Sequence, residues 1–456
     1  AKCYLENLIG RNLVMDAKRS FGGKIKACRI HDLLHDFCKK RANEQNLLRW
    51  INRDQESISN PSSGVYSQKK LAHCLSIYGA QYHIGEPSLC WSHVSSIILH
   101  KDDDPAMILD PISVNFHSFK FLKVLNLESA RIDSFPTGLV YLRYFAARTK
   151  NSSISSFVAN HPNLETLIVL NYGDEMSLPG TMWEMVKLRY LFISYSSSTL
   201  ENLIPLLDES KQLYNLKTFS IPKFSCVQDA ELILSKTPNL RELRCIFSGV
   251  DHFQYRVLDF PSHLETLKIR HKSAIHIKSI PFCISGPNLR NLTLEFFFLH
   301  QKRLSEIASL QNLEVLKLNR VDFENMVWEV SDGEFPRLKV LKLEGIFSFN
   351  EWIVADDAFP ELERLILRDC EYLNEMPCCF TELSSLKFIE VKGCSKSLED
   401  STGEIWTTKV EDYQISDFDV LVHKTAQKKS RSRSTGTGNV PWQIEFRAKR
   451  AKYLKY

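Results

Sequence analysis

The apolar pattern Leu-x-x-Leu-x-Leu, with other hydrophobic residues admitted at its fixed positions, begins at Leu122, Leu142, Leu164, Leu188, Leu216, Leu240, Leu264, Leu289, Leu313, Leu338, Leu362 and Leu386. From Leu216 onward every step is 24 or 25 residues. Two weaker copies precede the series, Ala72-x-x-Leu75-x-Ile77 and Val94-x-x-Ile97-x-Leu99. A chain of 456 residues would by length alone suggest about three domains. A period held this closely removes that reading and leaves a stack of short supersecondary units.

The expected fold is α/β: a leucine-rich repeat solenoid over residues 71–422, a horseshoe with a parallel sheet on its concave face. Side chains alternate along a strand, so the fourth and sixth residues of each unit share one face. Leu267 with Ile269, Leu316 with Leu318 and Leu341 with Leu343 are examples. One unit cannot bury that face alone, whereas stacked units share a continuous core. Pro162, Pro238, Pro287, Pro336 and Pro360 each precede a first Leu by two residues. Lacking an N–H, proline suits a strand entry. Cys370 and Cys394 fall at the Asn/Cys position of their units, where loop anchoring is the simplest role and a metal or redox pair the sharper one.

The odd positions of each strand point away from the core, onto the face such arrays use for binding. Position five supplies Arg244, Lys268, Thr293, Lys317 and Lys342; position seven adds Arg270 and position eight Arg320. The basic residues of this set are the candidate protein-binding side chains. Lys317 and Lys342 would stand about 5 Å apart on adjacent strands and repel. An acidic partner or a phosphate could answer them; so could a solvated network with Glu242, Glu295 and Glu344. Phe247, Phe296 and Tyr195 at position eight are either exposed aromatic contacts or core.

Residues 1–42 obey different rules. A short helix over Tyr4–Leu13, strands at Val14–Lys18 and Lys24–Ile30 joined through Phe21-Gly22-Gly23, and an amphipathic helix opening at His31 form the end of a winged-helix domain. Leu33, Leu34, Phe37 and Cys38 share one face of that last helix. Cys28, His31, His35 and Cys38 invite a zinc reading, but one helix cannot converge four ligands on one ion, and no metal site is expected. No catalytic residue is assigned either, since GxSxG and HExxH are absent. Residues 43–70, polar and containing Asn60-Pro61-Ser62-Ser63-Gly64, read as a linker. Glu411 to Val422 reads as a last strand capping the array.

The run CRIHDLLHDFCKKRANEQNLL from Cys28 to Leu48, preceded by YLENLIGRNLV and followed by irregular repeats, resembles plant intracellular nucleotide-binding leucine-rich-repeat immune receptors. Within them it resembles the coiled-coil class of nightshades, including late blight resistance proteins. The resemblance implies that Ile30-His31-Asp32 stands where the family carries Met-His-Asp. His31 would then contact the β-phosphate of ADP, with Asp32 fixing that arrangement at the helix start. It also implies ADP or ATP with Mg²⁺ in the longer protein. No cofactor is expected in this chain alone, because GxxxxGK[ST] is absent. The implied partners are a pathogen effector or a guarded host protein, and the receptor's own nucleotide-binding domain. A leucine-rich scaffold or F-box-type adaptor without a switch is the rival reading; a winged-helix DNA binder is a third.

Charge separates body from tail. Residues 423–456 hold ten Lys/Arg against Glu445, so the +4 total conceals a body of −5. The tail, with Lys428-Lys429-Ser430-Arg431-Ser432-Arg433, reads as a disordered extension, or as a nuclear-import signal or anionic-membrane contact. No specific nucleic-acid partner is expected. The 12 cysteines include no CxxC and suit a reducing compartment, and no apolar run reaches the roughly 18 residues of a membrane span. The expected location is the cytoplasm, with at most a peripheral membrane or nuclear association. The start at Ala1-Lys2-Cys3-Tyr4 suggests a piece of a longer protein.

Overall fold

The computed structural model describes residues 2–19, 25–51, 73–78, 93–100, 116, 119–173, 176, 178–194, 211–224, 226–248, 256–272, 278–280, 282–414 and 417–423. It opens with helix α1 (Lys2–Gly10), strands β1 (Val14–Arg19) and β2 (Ile25–Ile30), and helix α2 (Asp32–Glu44). The two strands pair antiparallel, Val14 opposite Ile30. The expected turn at Phe21-Gly22-Gly23 lies outside the described residues.

One sheet of 16 strands then runs through the described repeats, each strand beside the next in chain order and all parallel. Its strands show the expected alternation. In Thr266–His271, Leu267 and Ile269 are sealed in the core while Lys268 and Arg270 reach the outer face. Each buried leucine contributes roughly 2 kcal/mol relative to exposure.

Neighbouring units are locked by a repeated backbone fork. The N–H groups of Glu265 and Thr266 both donate to the Arg241 carbonyl, and those of Lys339 and Val340 to Glu314. At position eight the chain turns through the left-handed region in five consecutive units: Phe296, Arg320, Gly345, Asp369 and Gly393, with φ from 49° to 67°. The first four donate their N–H to the position-seven carbonyl of the next unit, Asn319, Glu344, Arg368 and Lys392 in turn. The strand therefore ends there in each of these five units. Behind the sheet, Trp328 stacks on Trp352 (5.3 Å between centroids) and Phe335 on Phe359 (4.9 Å), an aromatic column that carries the core from unit to unit.

Both ends depart from the expected boundaries. The sheet begins inside the segment read as a 43–70 linker: β3 (Leu48–Ile51) pairs in parallel with Cys74–Tyr78. The cause is local, because Asn46 takes a left-handed turn (φ 52°) that closes α2 and directs the chain to the sheet edge. Residues 52–72 lie outside the described residues. At the other end the strand is confined to Asp419–His423, against Phe388–Lys392. Residues 408–412 stay helical instead, held by the buried Lys409, whose ammonium donates to the Leu383 carbonyl at 2.6 Å. The basic tail beyond His423 lies outside the described residues. Among the described residues, no helix is long and apolar enough to cross a membrane.

Candidate functional site

The outer face of the sheet divides into two zones. Register places Arg244 beside Lys268, Lys268 beside Thr293, Thr293 beside Lys317 and Lys317 beside Lys342. Position five is thus a row of side chains across five strands, four of them cationic. Arg270 lies in the parallel row with Glu295, Asn319, Glu344 and Arg368.

The interleaved carboxylates do engage this row. Arg244 bonds Glu242 through Nε at 2.7 Å, Lys268 lies 3.7 Å from Glu295, Lys342 pairs with Glu344, and Arg368 meets Glu390 at 2.6 Å. Neutralisation is nevertheless incomplete. Positions three, five, seven and eight of the seven units from Leu240 to Leu386 hold nine Lys/Arg and five Asp/Glu. This face is positive on a body that is negative as a whole.

The position-eight aromatics are resolved toward the core. Phe247 is buried against Phe224, centroids 5.4 Å apart. Phe296 is also buried, beneath two guanidinium groups: Arg270 at 4.9 Å and Arg320 at 5.5 Å from its ring centroid. The left-handed turn at Phe296 withdraws its ring from solvent, and cation–π attraction draws both guanidinium groups to its face. Tyr195 lies outside the described residues.

The first half of the sheet presents a different surface, which the repeat pattern did not single out. Tyr144, Ile168, Tyr190 and Phe192 stand at positions three and five of adjacent strands, all partly exposed. Burial, reinforced by Glu128 and Tyr190, pushes the Tyr144 hydroxyl up to about 12. Burial also raises Tyr190, with Arg244 opposing the shift and Glu242 and Glu128 adding to it. At the rim Arg148 bonds the Tyr172 hydroxyl at 2.6 Å. The available signal was the aromatic content of the outward positions themselves. Tyrosine and arginine side by side are the residue types that dominate protein-binding energetics.

His31 and Asp32 sit at the start of α2, both exposed. His31 is the N-cap: its Nδ1 accepts the N–H of Leu33 at 3.3 Å, and Asp32 lies in the first turn. The helix they begin buries none of its residues, and Leu33 and Phe37 are 78% and 58% exposed. His35 contacts Asp36 at 3.5 Å, and Cys28 and Cys38 are exposed free thiols. Among the described residues, no three metal-ligating side chains converge.

The family model for the leucine-rich repeat region matches residues 114–412. Late blight resistance protein R1-A of Solanum demissum is 48% identical over 449 residues, covering 94% of this chain and 34% of that protein. The late blight resistance protein homolog R1B-16 of the same species is 48% identical over 433 residues, covering 92% and 33%. The chain thus spans about a third of the length of the curated relatives it matches. Among solved structures, an internalin from Listeria monocytogenes aligns with a TM-score of 0.40 and 14% identity, over 74% of this chain and 83% of that one.

Proposed function

The chain belongs to the leucine-rich repeat family, and from that premise we propose that it is the sensing portion of a plant immune receptor of the late blight resistance type. The observation that carries the reading is the 48% identity to resistance proteins sustained over more than nine-tenths of the chain. In this reading the solenoid recognises a pathogen effector, or a host protein that the effector modifies. It also restrains the receptor's nucleotide-binding module, and release of that restraint triggers defensive cell death in the cytoplasm.

The outer sheet face is the proposed recognition surface. Tyr144, Tyr190 and Phe192 supply rigid contact area at one end, and Arg244, Lys268, Arg270, Lys317, Arg320 and Lys342 select an acidic partner at the other. The positive excess supports this assignment, since like charges on adjacent strands cost stability that a partner can offset.

The nucleotide is a separate matter. The chain itself lacks a phosphate loop, and the His31 Nδ1 accepts the Leu33 N–H, which leaves Nε2 as that ring's N–H donor. In the longer receptor, His31 and Asp32 are proposed as part of the surface that holds the resting state.

The test is transient expression in leaves of a complete receptor carrying this sequence, with a library of pathogen effectors. The receptor gives cell death with a cognate effector, Lys317→Glu with Lys342→Glu abolishes it at unchanged protein level, and His31→Ala gives death without effector. Full response from the charge-reversed receptor would remove the recognition surface from the account. A silent His31→Ala at normal abundance would remove the resting-state role.

A further inference from the structure

Cys370 and Cys394 occupy equivalent places in consecutive units, each two residues beyond a strand, Arg364–Arg368 and Phe388–Lys392. Arg368 and Lys392, which end those strands, are register partners. Each is followed by a left-handed residue, Asp369 (φ 52°) and Gly393 (φ 67°), and the Asp369 N–H donates to the Lys392 carbonyl at 2.8 Å. The two turns are therefore superposed, one strand spacing apart. That spacing, about 4.8 Å, lies inside the range of roughly 4.4–6.8 Å between Cα atoms that a disulfide spans.

The side chains follow the backbone. The Cys370 thiol donates to the Arg368 carbonyl (3.5 Å) and the Cys394 thiol to the Lys392 carbonyl (3.6 Å), the same local bond in both units. The two thiols also adjoin, so that once Cys394 loses its proton the Cys370 S–H can turn from its carbonyl to the Cys394 sulfur, and both cysteines are free. Their surroundings differ. Cys370 is fully buried, whereas Cys394 is half-buried. The hydrogen bond from Cys370 favours the Cys394 thiolate, against burial and the nearby Asp369 carboxylate. The same bond, with burial, holds Cys370 protonated. One member is set up to react and the other to resolve. Loop anchoring accounts for each thiol's bond to its own strand; it does not account for this contact.

We propose that Cys370 and Cys394 are a peroxide-reactive thiol pair that closes into a disulfide between adjacent repeat units. The Cys394 thiolate attacks one oxygen of hydrogen peroxide; the O–O bond breaks, a sulfenic acid forms, and the departing hydroxide takes a proton to leave as water. The Cys370 sulfur then attacks the Cys394 sulfur. The S–S bond forms as the S–O bond breaks, and the Cys370 proton leaves with the sulfenic hydroxyl as a second water. The thiols lose two electrons and the peroxide gains them. The product staples the penultimate unit to the last one, next to the end strand Asp419–His423.

The experiment treats the folded full chain with hydrogen peroxide, blocks remaining thiols with an alkylating agent, and maps peptides by mass spectrometry without reduction. The expected product is a Cys370–Cys394 cross-linked peptide that dithiothreitol removes, with a higher unfolding temperature than the reduced chain. Cys370→Ser leaves Cys394 as a dimedone-trappable sulfenic acid, and Cys394→Ser leaves Cys370 alkylatable after unfolding. The exposed Cys378 serves as the internal reference. The proposal is overturned if Cys378 oxidises while Cys370 and Cys394 are recovered as separate alkylated thiols. It is equally overturned if the wild-type chain forms only other pairs. The wild-type map decides the matter even where a serine variant folds poorly.

Discussion

Tyr144 stands in the aromatic zone of the outer face, near Glu128 and Tyr190, its hydroxyl raised from 10.0 to about 12, first by burial. A group whose folded value lies above its unfolded one adds stability that is complete below the unfolded value and is lost as pH climbs to the folded one. For Tyr144 that window runs from pH 10 to about 12. Urea unfolding of Tyr144→Phe should therefore match the wild type near neutrality and lose less stability across the window; superimposable pH profiles would refute the role of this hydroxyl. Of this surface, the sequence made the cations Arg244, Lys268, Lys317 and Lys342 legible, because period-two alternation assigns their face directly. It left Phe296 undecided between core and surface. Its direction depends on a left-handed backbone turn that a phenylalanine rarely adopts, held by an N–H bond to Asn319 in the next unit. Two of the ion pairs that temper the cations, Lys268 with Glu295 and Arg368 with Glu390, join neighbouring units and so depend on register.

The repeat unit itself was legible down to single residues, since its strands begin where the leucine pattern places them. What the pattern did not disclose is a side-chain ladder along the turns. Asn163, Asn215, Asn239, Asn288 and Asn312, each just before a unit's first Leu, donate through Nδ2 to a backbone carbonyl of the preceding unit at 2.7–3.0 Å. Asn312 also accepts from Arg337 of the following unit at 3.0 Å. Each amide bond contributes about 1 kcal/mol. A surface ion pair at the same seam, Arg290 with Glu314 at 3.2 Å, is worth less because water screens it. We expect Asn312→Ala to cost about 1–2 kcal/mol in chemical denaturation, and Glu314→Ala under about 0.5 kcal/mol. A larger loss for Glu314→Ala would reverse this ranking. The strand at Leu48–Ile51 escaped sequence reading for a related reason. It carries no leucine pattern and joins the sheet only because Asn46 turns the chain onto an open edge.

Taken whole, the molecule is a long parallel sheet whose outer face carries charge opposite to that of the body around it. The net charge of +4 hid this, because the tail contributes the sign while the sheet face contributes the pattern. The family and the solenoid could be read from spacing and from the residues around His31. The proposed recognition surface could be read only in part, since the aromatic zone at Tyr144, Tyr190 and Phe192 and the pairing of Lys268 with Glu295 and Arg368 with Glu390 depend on strands brought together by the fold. An acidic partner is proposed to seat on that face. Lysine footprinting with an amine-acylating reagent, with and without the protein partner identified by the cell-death assay, tests it most directly. Binding should slow labelling of Lys268, Lys317 and Lys342 and leave Lys302 on the Gln301–Ala308 helix and the exposed Lys387 unchanged. Unaltered labelling of Lys317 and Lys342 in the complex, with protection at Lys302 instead, would contradict it.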